Sequence, residues 1–263
     1  MTKIWRFLDT GKNPGVYNMA LDEAILEILE QGKTAPSLRL YQWSPACLSL
    51  GRNQGLKTIN LGSCKKLGID VVRRPTGGEA ILHWDELTYS VIMPRENPSL
   101  SLKELYFLIN RALIEAFYSL GIKTELHCLK ESLKNPNCFL SAGLADLCCH
   151  EKKLVGSAQL RTRGAILQHG SIIISHKPEI LFSVFRFPSK KLKKEEFSTF
   201  SKKATSLSEI IGEINLTDLK KVLLAGFQNV LNLEFFEGKL TGDEILETEK
   251  LLEKYKKLNW EIK

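Results

Sequence analysis

Two strand-like runs, KLVGSAQLR at 153–161 and AILQHGSIIIS at 165–175, are separated by only three residues. So short a connection joins antiparallel neighbours. A parallel pair needs a crossover of a dozen residues or more. An antiparallel pair is therefore expected in this chain, and the fold must be built around it. Segments 37–43 (SLRLYQW) and 46–50 (ACLSL) read as strands on either side of the turn signal Ser44-Pro45, and 69–74 (IDVVRR) reads as another. Segments 79–84 and 86–93 read as a second strand pair, because TYSVIM is rich in β-branched and aromatic residues.

Helices come between these strands. Over 15–30 the apolar residues Val16, Ala20, Ala24, Ile28 and Leu21, Ile25, Leu29 recur at i, i+4. Over 102–120 one face carries Leu102, Leu105, Ile109, Ala112, Leu113, Ala116, Phe117 and Leu120. Ser101 and Glu104 have capping-box spacing before it, and Gly121 ends it. Further helices are predicted near 217–231 and 242–257, the second opening at Thr241 with Glu244 three residues on, and LEFFE between them is a short strand. Lys190, Lys191, Lys193 and Lys194, followed by Glu195 and Glu196, read as a solvated loop. Strand pairs mixed with helices, without a strict βαβα alternation, predict an α+β fold with a mixed, mostly antiparallel sheet.

Composition narrows the class. The chain has 263 residues, within reach of one large domain over 1–263, and 43% of them are apolar, enough for a substantial core. No apolar run approaches the roughly 20 residues that span a bilayer. The N-terminus MTKIWRFLDT lacks the apolar stretch of a signal peptide, so a cytoplasmic protein is expected. A net charge of +7 favours acidic partners: nucleic acid, anionic membrane or acidic proteins. No zinc-finger or RNP-type motif supports nucleic acid, and nothing points to a membrane. Six cysteines without a C-x-x-C pair, in a chain expected in the cytoplasm, predict reduced thiols. Cys148-Cys149-His150 is not expected to hold a metal, since adjacent residues rarely reach one ion and no second half-site follows.

Three segments carry the chemistry. Arg73-Arg74-Pro75-Thr76-Gly77-Gly78 lies between two strands. Its glycines let backbone approach a ligand, and its arginines favour a carboxylate, phosphate or carbonyl group; on spacing alone a simple turn fits equally. Gly156, Ser157 and Ala158 put small residues inside a strand, which leaves room for a narrow ligand slot or for close packing. His169, in Gln168-His169-Gly170-Ser171, is a lone strand histidine, more often a satisfied core or rim residue than a catalyst, and the same holds for His83.

Together these blocks resemble the biotin/lipoate protein ligase superfamily and its lipoate/octanoate attachment family. YNMALDEAIL, LRLYQWSPACLSLGRNQ, RRPTGGEAILHWDELTYSV and KKLVGSAQLRTRGAILQHGSI come in the family's order over nearly the whole chain. The resemblance implies the family's α+β catalytic domain, with Arg73, Arg74, Thr76, Gly77, Gly78, His83, Gly156, Ser157, Ala158 and His169 near the substrate. Within the family, the Asn137-Cys138-Phe139 segment resembles the LipM-type octanoyltransferases, which implies Cys138 as nucleophile; read alone, Cys138 is a small buried hydrophobe. Lys153 matches the family lysine, expected beside the thioester carbonyl as a cation or, deprotonated, as a base. This branch implies octanoyl-acyl carrier protein as donor, lipoyl-carrier domains such as the glycine cleavage H protein or dehydrogenase E2 domains as acceptors, and no cofactor. The alternative branch is an ATP- and Mg²⁺-dependent lipoate ligase. Glu79 departs from the family's third loop glycine, and a carboxylate there would repel an ATP phosphate. Trp84 replaces the usual Asp, and Asn259-Trp260-Glu261 reorders a C-terminal motif. With no length left for a further C-terminal domain, the transferase is the expected branch.

Overall fold

The computed structural model describes residues 3–95, 101–126 and 146–257. In chain order its elements are β1 (Lys3–Asn13), α1 (Gly15–Glu30), β2 (Ser37–Trp43), β3 (Cys47–Leu50), α2 (Leu61–Lys66), β4 (Asp70–Arg73), β5 (Ile81–His83), β6 (Asp85–Pro94), α3 (Leu102–Ser119), β7 (Glu125–Leu126), β8 (Leu147–Cys149), β9 (Lys152–Arg161), β10 (Ala165–Ser175), α4 (Pro178–Ser183), α5 (Lys190–Lys203), α6 (Leu207–Ile211), α7 (Leu216–Leu231), β11 (Leu233–Glu237) and α8 (Gly242–Tyr255). Eight strands form one sheet in the order β11-β1-β2-β6-β10-β9-β8-β7, and three form a smaller sheet in the order β4-β3-β5. In the large sheet β1 is parallel to β11 and to β2, and the remaining neighbours are antiparallel. This is the expected α+β class.

The β9–β10 pair forms as the spacing requires, with Gly156 opposite Ser171 and Ala158 opposite His169. The other expected pair does not. β5 joins β3 in the small sheet, whereas β6 lies between β2 and β10 in the large one. Only Trp84 separates the two strands, and a hairpin needs at least two loop residues, so the chain steps from one sheet to the other. The lysine-rich stretch is also corrected: it is helix α5, capped by Ser189 and anchored by buried Phe200 against the Phe182 ring.

Period-two alternation gives each central strand two buried faces. One face of the large sheet, with Leu38, Leu40, Leu87, Tyr89 and Val91, packs on α3 and α7. Gly226 of α7 lets those helices touch, since a methyl there would lie 2.4 Å from the Ala112 carbonyl. The capping box at Ser101 and Glu104 opens α3 as its spacing predicts. On the opposite face Leu8, Ile92 and Leu167 pack on Leu21, Ile25 and Leu29 of α1. Helix α8 lies beside α1, with Lys254 and Tyr255 both bonded to Glu23. A separate apolar cluster joins the small sheet to α4 and α5.

Candidate active site

The sheet face toward α1 is apolar at one end and polar at the other. Alternation continues the row past the leucines into Arg39, Glu86, Thr88, His169 and Ser171, all buried. Buried polar groups persist only when paired, and these are joined in a dense network. Arg39 Nη1 donates to Asp22 Oδ1 at 2.6 Å, and Tyr41 donates to Asp22 Oδ2 at 2.9 Å. His169 Nδ1 lies 3.0 Å from Asp22 Oδ2, and its Nε2 lies 2.8 Å from Thr76 Oγ1. On the other side His83 Nδ1 meets Glu86 Oε1 at 2.7 Å, and its Nε2 meets Ser49 Oγ at 2.7 Å. Ser171 and Thr88 also donate to Glu86, and Trp43 stacks on the His83 ring with centroids 3.8 Å apart.

Charge within this network is balanced locally. Burial acts to raise the Asp22 pKa, but Arg39 and His169 outweigh it and leave the carboxyl below the usual carboxylate value. Burial likewise opposes ionisation of Glu86, and its contacts with His83, Ser171 and Thr88 overcome it. Burial pushes His169 below the usual imidazole value despite the pull of Asp22. Near neutral pH His169 is therefore neutral, and facing an acceptor-only carboxylate it carries its proton on Nδ1.

This network surrounds a mostly apolar, partly open cleft. Arg74, His83, Gly156, Ala158 and His169, all expected near a ligand, line it, together with Met19, Tyr41 and Trp43, which the sequence did not single out. The β9–β10 register explains the small residues: Gly156 and Ala158 stand across from Ser171 and His169, leaving space over that part of the sheet. At the rim, Lys153 Nζ lies 2.8 Å from Asp146 Oδ2, and both side chains are buried. A methyl on Gly156 would stand 3.0 Å from Lys153 Cε and 3.3 Å from its Nζ. The lysine head group thus abuts a residue of the cleft wall.

The other expected residues have structural partners. Arg73 is fully buried, and its Nη1 donates to the carbonyls of Gly51, Arg52 and Gln54, bracing that loop. Arg74 donates to the carbonyls of Ser49, Gly77 and Glu79. Thr76 bonds His169, and Gly78 takes φ +94 with its carbonyl against Gly51. Ser157 bonds the Tyr89 hydroxyl at 2.8 Å. Cys138 and Trp260 lie outside the described residues. Cys148 is disulfide-bonded, a departure from the expected reduced thiols, whereas Cys47, Cys64 and Cys149 are free. Among the described residues no helix is long and apolar enough to cross a membrane.

Sequence reasoning missed Asp22, Asp146, Glu86, Arg39 and Ser49. Asp22 had a signal: it interrupts the apolar face of α1 four residues after Asn18, and an acid placed there needs a buried partner. Asp146 had none, because only the β8–β9 turn brings it to Lys153.

A mixed sheet thus carries a largely apolar cleft, with the buried Lys153–Asp146 ion pair beside its Gly156 wall. The chain belongs to the lipoyl protein ligase A/B catalytic domain family, whose profile matches residues 14–228. Among curated proteins it is 38% identical to the octanoyltransferase LipM of Anoxybacillus flavithermus over 99% of both chains, and 37% identical to that of Bacillus subtilis over 98% of both. Among solved structures it is similar to the bipartite lipoate protein ligase studied with its E2 lipoyl domain from Thermoplasma acidophilum, with a TM-score of 0.85, 23% identity and coverage of 99% of this chain and 96% of that one. It is also similar to lipoate-protein ligase A bound with ATP, at a TM-score of 0.81, 24% identity and coverage of 100% and 99%. At those identities the structural likeness establishes the fold alone.

Proposed function

We propose that this chain is an octanoyltransferase of lipoate biosynthesis. It takes octanoyl from octanoyl-acyl carrier protein onto Cys138 and passes it to a lysine of a lipoyl-carrier domain. The observation that carries this reading is the Lys153 head group against Gly156, at the rim of an apolar slot. Full-length similarity to octanoyltransferases supports the transferase over the ligase branch.

In the first step the Cys138 sulfur attacks the thioester carbonyl carbon. A carbon–sulfur bond forms, the bond to the carrier's sulfur breaks, and that sulfur leaves as a thiol, the proton given up by the Cys138 thiol balancing the one it takes. In the second step the acceptor lysine's neutral amine attacks the new thioester. An amide bond forms, the bond to Cys138 breaks, and the amine proton neutralises the departing thiolate. Each step passes through an oxyanion. Lys153, ion-paired with Asp146, acts as a cation that donates to this oxyanion rather than as a base. The acyl group arrives already activated as a thioester, so ATP and Mg²⁺ are not required.

Slot and charge serve recognition. Each buried methylene contributes about 0.8 kcal/mol, roughly fourfold in affinity, so the slot selects by chain length. The net charge of +7 suits acidic carrier proteins. The test is octanoyl transfer to an apo lipoyl domain, with octanoyl-acyl carrier protein as the sole donor and ATP omitted. Amide formation is expected. Modification only from free acid with ATP and Mg²⁺ would assign the chain to the ligase branch.

A further inference from the structure

We propose that Asp22 and Glu86 are positioning residues for acyl transfer: acting through His169 and His83, they set the hydroxyls of Thr76 and Ser49 against the Arg74 guanidinium and so fix Arg74, which lines the slot, together with the loop carbonyls of Gly77 and Glu79 that it holds. The inference rests on the reading of the cleft as the acyl slot.

Two relays built alike converge on one cation. In the first, Asp22 faces His169 Nδ1 at 3.0 Å, His169 Nε2 faces Thr76 Oγ1 at 2.8 Å, and Arg74 Nε donates to Thr76 Oγ1 at 3.1 Å. In the second, Glu86 faces His83 Nδ1 at 2.7 Å, His83 Nε2 faces Ser49 Oγ at 2.7 Å, and Arg74 Nη1 reaches Ser49 Oγ at 3.4 Å and its carbonyl at 3.1 Å. The two carboxylates come from different elements, α1 and β6, and all the relay side chains are buried.

The direction of the first relay follows from its ends. An ionised carboxylate only accepts, so His169 carries its proton on Nδ1 and presents a lone pair at Nε2. The Thr76 hydroxyl then donates to Nε2, and its own lone pairs face Arg74 Nε–H. A carboxylate two hydrogen bonds away thus sets the rotation of that hydroxyl. Arg74 carries the constraint into the loop, because its Nη2 donates to Gly77 O at 2.6 Å and Glu79 O at 2.9 Å. Arg74 itself lines the cleft, so a shift of the guanidinium changes the slot.

Hydroxyl, imidazole and carboxylate in this order also make up a hydrolytic triad. Here each hydroxyl oxygen is met by a guanidinium donor, which suits an acceptor holding a cation in place rather than a nucleophile.

The experiment compares wild type with Thr76→Val, Thr76→Ser, Ser49→Ala and the Thr76→Val/Ser49→Ala double variant, using hexanoyl, octanoyl and decanoyl carriers. Thr76→Val is expected to raise KM for the octanoyl donor about fivefold to tenfold with a smaller change in kcat, and to flatten the chain-length preference. Thr76→Ser keeps the hydroxyl and should restore that preference. Because both hydroxyls hold one guanidinium, the double variant should lose less than the product of the single losses. A chain-length profile unchanged in Thr76→Val, or a Thr76→Ser variant as impaired as Thr76→Val, overturns the proposal. So does an octanoyl ester found on Thr76 or Ser49. Nitrogen NMR of the histidine rings provides a readout independent of turnover. Wild type should show His169 protonated on Nδ1, and an Nε2-protonated ring would overturn the relay even in an enzyme that transfers octanoyl. If wild type transfers no octanoyl while the ring signals are as expected, the reading of the slot fails and the relay stands.

Discussion

Lys153 Nζ and Asp146 Oδ2 lie 2.8 Å apart, with neither side chain more than 5% exposed. A buried pair of this kind adds little net stability, but removing one partner leaves a buried charge uncompensated, at a cost of about 3 kcal/mol or more. Asp146→Asn should therefore lower the midpoint of chemical denaturation and also reduce kcat, because the lysine loses the partner that holds it at the rim. Lys153→Ala should reduce kcat by roughly 10²-fold or more, the usual consequence of losing one oxyanion donor. Denaturant titration and steady-state transfer assays on both variants check this. An Asp146→Asn variant with unchanged kcat would remove the aspartate from the mechanism.

Chain-length selectivity should move with Ala158, which lines the slot across from His169. Ala158→Leu adds three carbons to the wall. The preferred donor is expected to shorten, with kcat/KM for octanoyl falling by about tenfold and that for hexanoyl affected far less. Competition between the two donors in one reaction measures the shift directly.

Gly51 is irreplaceable for a different reason. A methyl on it would stand 1.7 Å from the Gly78 carbonyl oxygen, a contact between two backbones that no rotamer change relieves. Gly51→Ala should cost about 1–3 kcal/mol by overpacking and displace the glycine loop, and with it Arg74, which bonds the Gly77 carbonyl and lines the slot. Thermal melting would report the first effect, and a raised KM for the donor the second.

Acid should weaken the fold through His169. Its pKa in the folded chain is lowered from 6.5 by burial, so between that lower value and 6.5 the unfolded chain binds more protons. The stability associated with neutral His169 is thus full above about pH 6.5 and is lost as pH falls below it. Asp22, lowered from 3.8, acts in the same direction at lower pH, its contribution being present above 3.8 and lost beneath it. Tm should fall on acidification from neutrality toward about pH 5, and His169→Gln should flatten this part of the curve.

Local signals in the sequence reach a definable distance into the fold. The β9–β10 pair, helices α1, α3 and α7, and the capping box of α8 are legible because period and cap chemistry act over a few residues. The partners of β5 and β6 are not, since one intervening residue decides between two sheets and hydrophobicity does not record it. Helix α5 is hidden because it buries little apolar surface. In the site, small residues at 156 and 158 mark the slot, and the family blocks bring in Arg74, His83, His169 and Lys153. Arg73 shows the limit of that signal: the same motif that puts Arg74 at the cleft puts Arg73 under a loop. Asp146 and Glu86 become visible only when tertiary contact sets them against Lys153 and His83.

The proposed intermediate is a thioester on Cys138. Its most direct test is the intact mass of the enzyme after incubation with octanoyl-acyl carrier protein, with no acceptor present. Wild type should gain one octanoyl group, mapped to Cys138 and released by hydroxylamine, and Cys138→Ala should gain none. Transfer that proceeds in Cys138→Ala, or an adduct that forms on another residue, would contradict the account.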